Sequence, residues 1–139
     1  MTQKEMTLLF LDKENIISSV FAVRVFADAC NCESAGMCVG EKQTPPQVYQ
    51  TLHAHGYDDS PHYPEQVDYN RLLQADKILC LSDGCYKALQ KLVPEFLHKT
   101  VNCETILCEK IIDPFDMGSS AYEVCFSQIQ RLKNAVDFF

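Results

Sequence analysis

Apolar and polar positions follow two rhythms along this chain. Thr7 to Leu11 and Lys77 to Leu81 (KILCL) are short apolar runs bounded by polar residues, the pattern of buried strands. Elsewhere apolar residues recur every three or four positions, the spacing of a helix. From Ser18 to about Ala29 nearly every position is apolar (Val20, Phe21, Ala22, Val23, Val25, Phe26). That predicts a deeply buried helix capped by Ser18 or Ser19. Cys32 to Ala35, closed by Gly36, predicts a short second strand. Thr44-Pro45-Pro46-Gln47 predicts a helix start, with Thr44 as cap, Pro45 in the first position and Gln47 completing a capping box. Val48 and Leu52 supply its buried stripe and Gly56 its stop. Tyr57 to Pro64 reads as loop and Val67 to Gln74 as a short helix. Ser82 caps a helix through Leu92, which Pro94 ends, and Thr100 to Leu107 reads as a fourth strand. After the turn-forming IIDPFDMGSS, Ser120 to Glu123 forms a second capping box. It opens a helix with the stripe Ala121, Cys125, Ile129, Leu132, Val136 and Phe139.

Strands that alternate with helices imply an α/β fold. The expectation is a single three-layer domain over residues 1–139, with a four-stranded parallel sheet flanked by about five helices joined by right-handed crossovers. In such a sheet the loops after Leu11, Ala35, Leu81 and Leu107 converge at the carboxyl edge, where ligands bind.

Charge and cysteine content narrow the function classes. The net charge of −7 argues against non-specific binding to nucleic acid or anionic membranes, which needs excess Lys and Arg. No apolar run approaches the roughly 18 residues of a membrane span, and no secretory signal is visible, so a cytoplasmic location is expected. The eight cysteines form no C-x-x-C pair, and no histidine stands at zinc-finger spacing from them. They read as buried reduced thiols, with a metal cluster or disulfide set as the other reading. No metal site and no cofactor is assigned.

The chemistry concentrates between the first strand and the first helix. A tight strand-to-helix loop is where α/β proteins bind anions. Here it reads Asp12-Lys13-Glu14-Asn15-Ile16-Ile17-Ser18-Ser19, with no glycine, cysteine or arginine. Further on come Ser34-Ala35-Gly36, Val39-Gly40, Thr44-Pro45, Ser60-x-His62, a strand ending at Ser82, Asp113-Pro114-Phe115 and the run Ser119 to Ile129. In this order the series, from about Met6 to Val136, resembles the low-molecular-weight protein-tyrosine phosphatases. That family includes bacterial protein-arginine phosphatases and related arsenate reductases, and its bacterial branch is the nearer match. The resemblance implies its three-layer α/β fold with flavodoxin-like strand order.

The resemblance also assigns roles, and the departures fall on the chemistry. The family loop is V-C-x-G-N-x-C-R-S-P. Aligned through Asn15, Asp12 stands at the nucleophilic cysteine, Glu14 at the glycine and Ser18 at the arginine that grips the phosphoryl group. Asp113 aligns with the general acid. Lys13, Ile16 and Ile17 fill the rest of the loop. Asn15, Ser19 and Ser34 match residues that brace it, and Ser82 ends the neighbouring strand. A carboxylate is a poorer nucleophile than a low-pKa thiolate and repels a phosphate dianion. Serine offers one neutral hydroxyl in place of a bidentate, permanently charged fork. The leading expectation is therefore an inactive pseudophosphatase, a phosphate-loop variant acting as a binding or regulatory module. It would hold a protein partner or a second copy through an altered cleft. Two other readings stand beside it: a metal-assisted enzyme using Asp12, Glu14, Asp113 and Asp116, and a scaffold with no role left. Local alternatives also stand. Asp12 could simply favour the helix dipole, Asp113 could be a turn former, and His62 reads as an ordinary loop residue. Neither Cys38 nor Cys80 reads as a substitute nucleophile.

Overall fold

The computed structural model describes residues 2–136. Four parallel strands form one sheet in the order β2-β1-β3-β4: β1 (Thr7–Asp12), β2 (Asn31–Gly36), β3 (Lys77–Cys80) and β4 (Thr100–Asn102). Around it lie α1 (Ser18–Phe26), α2 (Pro46–Ala54), α3 (Tyr69–Gln74), α4 (Asp83–Leu92), α5 (Cys103–Leu107) and α6 (Ser119–Ala135).

Both faces of the sheet are covered, as a parallel sheet requires. Alternate residues of β1 point to opposite sides. Leu8 and Phe10 enter a core with α1, α2 and α6, where Phe21 meets Phe126 edge-on at 5.3 Å. Leu9 and Leu11 enter a second core with Leu72 of α3 and Leu89 of α4. The result is the three-layer arrangement expected from the alternating pattern. All four strands run the same way, so their carboxyl ends share one edge.

Several boundaries differ from the sequence reading, each for a local reason. Thr100 to Leu107 is not one strand. Asn102 Oδ1 accepts the Glu104 N–H at 3.1 Å, and this cap turns the chain into α5. Ser18 and Ser19 lie inside the first turn of α1, and neither caps it. Thr44 does not cap α2; Pro45 precedes the helix, and among the described residues the buried Thr44 Oγ1 has no hydrogen-bond partner. The capping box at Ser120 and Glu123 does not form. Gly118 precedes α6, and Glu123 pairs with His55 of the α2 end at 2.8 Å instead. The short helix expected from Val67 begins at Tyr69, once Asp68 captures the Arg71 N–H at 2.8 Å. The Ser82 cap of α4 and the left-handed stop at Gly56 (φ 77°) agree with expectation. Phe139 lies outside the described residues. All eight cysteines are free thiols, five of them buried, while Cys38 and Cys108 are exposed.

Candidate functional site

The carboxyl edge of β1 runs through a five-residue loop, residues 13–17, into α1. At its start the Asp12 carboxylate folds back over the loop and accepts three hydrogen bonds. The Asn15 N–H donates to Oδ1 at 2.7 Å. The Ser18 hydroxyl and the Ser19 N–H donate to Oδ2 at 2.8 and 2.9 Å. One of these donors is an N–H in the first turn of α1, which would otherwise lack a partner. The donors at the centre of the loop are therefore taken up by a carboxyl group of the chain itself. Burial pushes the Asp12 carboxyl above its ordinary range, while the bonds from Ser19, Ser18 and Asn15 pull it back.

Asn15 sets the shape of the loop. Its φ of 59° is left-handed, a conformation Asn tolerates better than most residues. It is fully buried, and each polar atom of its side chain is engaged. Nδ2 donates to Ser19 Oγ at 2.8 Å and to Ser34 Oγ at 3.0 Å, and Oδ1 accepts the Glu65 N–H at 2.9 Å. Its carbonyl accepts from His62 Nε2 at 2.9 Å. His62 is thus no ordinary loop residue. It is half-buried beneath the loop, held by Tyr49 Oη, which accepts the His62 N–H at 3.0 Å. Burial holds its pKa below the usual imidazole value, partly offset by the Asn15 carbonyl.

Backbone from β2 closes the other side. The Met37 and Cys38 N–H groups donate to the Asp12 and Lys13 carbonyls at 2.9 and 2.7 Å. Gly36 is required here, because a Cβ would lie 2.8 Å from Val39 Cγ2 and 3.0 Å from both the Glu14 carbonyl carbon and the Lys13 carbonyl oxygen.

Eight of the eleven sequence-predicted site residues line one cleft of about 130 Å³: Asp12 to Glu14, Ile16 to Ser18, Ser82 and Asp113. Asn15, Ser19 and Ser34 lie behind it, joined by the network just described. The far wall is Ile111 to Phe115. Asp113 is exposed, and its Oδ1 accepts the Phe115 N–H at 3.2 Å, so it shapes the turn as well as facing the cleft.

Three contributors carry weaker sequence signals. Gln128 accepts the Ile112 N–H at 2.9 Å and donates to the Lys110 carbonyl at 2.8 Å, fixing the far wall from α6. Its signal is a polar residue beside an apolar stripe. Glu104 accepts the N–H groups of Asp83 and Ile111, at 2.8 and 2.6 Å. Lys42 reaches the cleft mouth, where its Nζ lies 3.4 Å from Glu14 Oε1 and 4.3 Å from the Phe115 ring centroid.

The metal-assisted reading gains no support here. Asp12, Glu14, Asp113 and Asp116 do not converge on a metal: among the described residues no three His, Cys, Asp or Glu side chains group to hold one. Asp12 spends its oxygens on the loop's own donors, and Asp116 sits in a left-handed turn (φ 62°) outside the cleft lining. Nor does a thiol enter the cleft. Cys80 and Cys103 are fully buried, and burial pushes the Cys103 thiol well above its ordinary value, away from the thiolate form.

The family model of the low molecular weight phosphotyrosine protein phosphatases matches residues 7–136. The chain belongs to this family. Solved structures agree on the fold. The YwlE arginine phosphatase of Geobacillus stearothermophilus superposes with a TM-score of 0.84 at 19% identity, covering 94% of this chain and 89% of its own. A low molecular weight protein tyrosine phosphatase from T. tengcongensis gives 0.85 at 21% identity, covering 94% and 97%. Vibrio vulnificus Wzb, solved in complex with benzylphosphonate, gives 0.84 at 21%, covering 94% and 96%. A search of curated proteins by sequence finds no match. No helix among the described residues is long and apolar enough to cross a membrane.

Proposed function

We propose that this member of the phosphatase family is catalytically inactive and serves as a cytoplasmic binding or regulatory module, built as one domain. The observation that carries this reading is the Asp12 carboxylate, which accepts from the Asn15 and Ser19 N–H groups and the Ser18 hydroxyl. By the alignment through Asn15, those donors belong to the loop that in the family receives the phosphoryl group. A phosphate dianion entering the loop would meet donors already engaged, and the ionised form of Asp12 would repel it as well. Coulomb repulsion between unit charges 4 Å apart is about 4 kcal/mol at a near-surface effective dielectric, and a dianion doubles it. No arginine stands in the loop to offset it. Loss of one electrostatic stabiliser alone typically lowers a rate by about two to three orders of magnitude. Replacement of the thiolate nucleophile adds to that loss.

The scaffold is retained although the reactive groups differ. Asn15, Ser19 and Ser34 still order the loop, and Asp113 still faces the cleft. That combination suits recognition without turnover, with a protein partner covering the carboxyl edge. The test is an assay of the purified protein with aryl phosphate, phosphoarginine and arsenate. The phosphoarginine arm is included because YwlE, a structural neighbour, is an arginine phosphatase. No turnover above background is expected. Turnover that Asp12→Ala abolishes would overturn the proposal.

A further inference from the structure

Away from the cleft, at the amino edge of the sheet, two thiols share one small space. The chain reads Cys30-Asn31-Cys32 where it enters β2. Side chains two apart on a strand leave the same face. Both thiols accordingly meet the core beneath α1 and α6, Cys30 within it and Cys32 against its border. Cys30 is buried, while Cys32 is only partly buried and reachable from solvent. The Cys32 thiol donates to the Cys30 carbonyl at 3.5 Å. The Cys30 sulfur lies close enough to act electrostatically on it, as does the Lys133 ammonium of α6, which pairs with Asp28.

The backbone decides what such a pair can hold. Two residues of extended chain span about 6.6 Å, close to the longest Cα separation a disulfide tolerates. A bridging metal is the easier fit. With a metal–thiolate bond of about 2.3 Å on each side, the sulfurs need only lean to about 4.6 Å apart. Thiolates are soft ligands and select soft metals. Structural zinc takes four ligands, and among the described residues no third His, Cys, Asp or Glu side chain joins the pair. Copper(I) is satisfied by two thiolates. Burial pushes both thiols up, so the free pair is neutral and matches its apolar surroundings.

We propose that Cys30 and Cys32 form a two-coordinate copper(I) site at the amino edge of the sheet. Binding breaks both S–H bonds, forms two copper–sulfur bonds and releases both protons to solvent, with no change of oxidation state. The bis-thiolate complex carries one net negative charge, and the Lys133 ammonium stands beside it as the offsetting cation. The site lies at the far edge of the sheet from the β1–α1 loop, so it is independent of the inactive reading. Turnover of a phosphate substrate would leave the copper site standing, and failure to bind copper would leave the inactive reading standing.

The experiment is a competition for copper(I) between the full chain and bathocuproine disulfonate, without oxygen and with ascorbate present. The double substitution Cys38→Ser and Cys108→Ser removes the exposed thiols and defines the reference protein. The reference is expected to withdraw one copper per chain from the chelator and to develop a thiolate-to-copper charge-transfer band in the ultraviolet. Amide signals of residues 30–32 and of Lys133 should shift, and those from Asp12 to Ser18 should not. Cys32→Ser in this background should lose more than the roughly 10–100-fold in affinity that removal of an outer-shell partner costs. Cys30→Ser should match it, and if that buried substitution fails to fold, the partly exposed Cys32 position carries the test. Cys85→Ser alters a buried thiol at the carboxyl edge and should bind as the reference does. No copper withdrawn by the reference overturns the proposal, as does equal retention by Cys32→Ser. Loss of binding in Cys85→Ser, with shifts at Cys80 and Cys85, overturns it by moving the metal to other thiols. Zinc(II) held as tightly as copper(I) overturns the two-coordinate assignment.

Discussion

Asp12→Ala is the most informative single substitution in this protein. In the native chain the carboxylate pairs two backbone N–H groups and one hydroxyl. Alanine leaves the Asn15 and Ser19 N–H groups without their partner, while Ser18 Oγ can rotate to solvent. A buried donor left unpaired costs about 1–3 kcal/mol. Water entering through the adjoining cleft recovers part of that cost, and the expense of burying the carboxylate disappears. The expected net loss is about 2 kcal/mol, or roughly 6–8 °C in Tm for a chain of this size. The emptied donors should then accept an external anion. Sulfate or phosphate at ten times its Kd would restore about 1.4 kcal/mol to the variant and nothing to the native protein. The pH dependence adds a further check. Burial raises the folded pKa of Asp12 above its unfolded value. Its titration therefore contributes stability that is full below the ordinary aspartate range and is lost as pH rises through the folded pKa. The gap between native and variant should be widest at acid pH and narrow toward neutrality. Urea unfolding across pH, with and without sulfate, measures all three quantities. A variant within about 0.5 kcal/mol of native and indifferent to sulfate would refute the view that the carboxylate fills an anion cradle.

Other perturbations test the supports of the site. Asn15→Ala removes three side-chain hydrogen bonds and places a poorly suited residue at φ 59°, so a loss of about 2–4 kcal/mol is expected in urea unfolding. Gly36→Ala forces a methyl against Val39 and the loop backbone, expected to cost about 1–3 kcal/mol and to shift amide signals from Lys13 to Asn15. Gln128→Leu leaves the Ile112 N–H and Lys110 carbonyl unpaired, so hydrogen exchange at Ile112 should accelerate and stability fall by about 1–3 kcal/mol. The folded pKa of His62 is depressed, so its contribution is present above the ordinary imidazole value and lost as pH falls through the folded pKa. His62→Gln should flatten that acid limb, and an unchanged limb would show that His62 does not set it.

Much of the architecture was legible in sequence because it depends on local pattern. The run TLLFL, the apolar Val20 to Phe26 and the stripe from Ala121 to Leu132 each satisfy one periodicity, and each became the expected element. Parallel order followed from the alternation of strand and helix. The capping residues were less legible, because a cap depends on where the neighbouring backbone lies. Asn102 outcompeted the strand pattern of Thr100 to Leu107, whereas Thr44 and Ser120 lost their expected roles to the geometry around them.

The order of motifs also brought the loop residues and Asp113 to one edge, since parallel strands end together. What the sequence could not reveal is which groups would satisfy one another there. Asp12 could have been a free carboxylate, a metal ligand or a helix-end charge; tertiary structure turned it onto the donors of its own loop. His62 became a support for Asn15, and Gln128 an anchor for Ile112, through contacts between residues distant in the chain. Lys42 and Phe115 meet only because β2 and the segment before α6 deliver their loops to the same cleft. Periodicity and turn chemistry act over a few residues and are written in the chain. Hydrogen-bond pairing and charge placement depend on distances of a few ångströms between remote segments, which packing of the three layers alone determines.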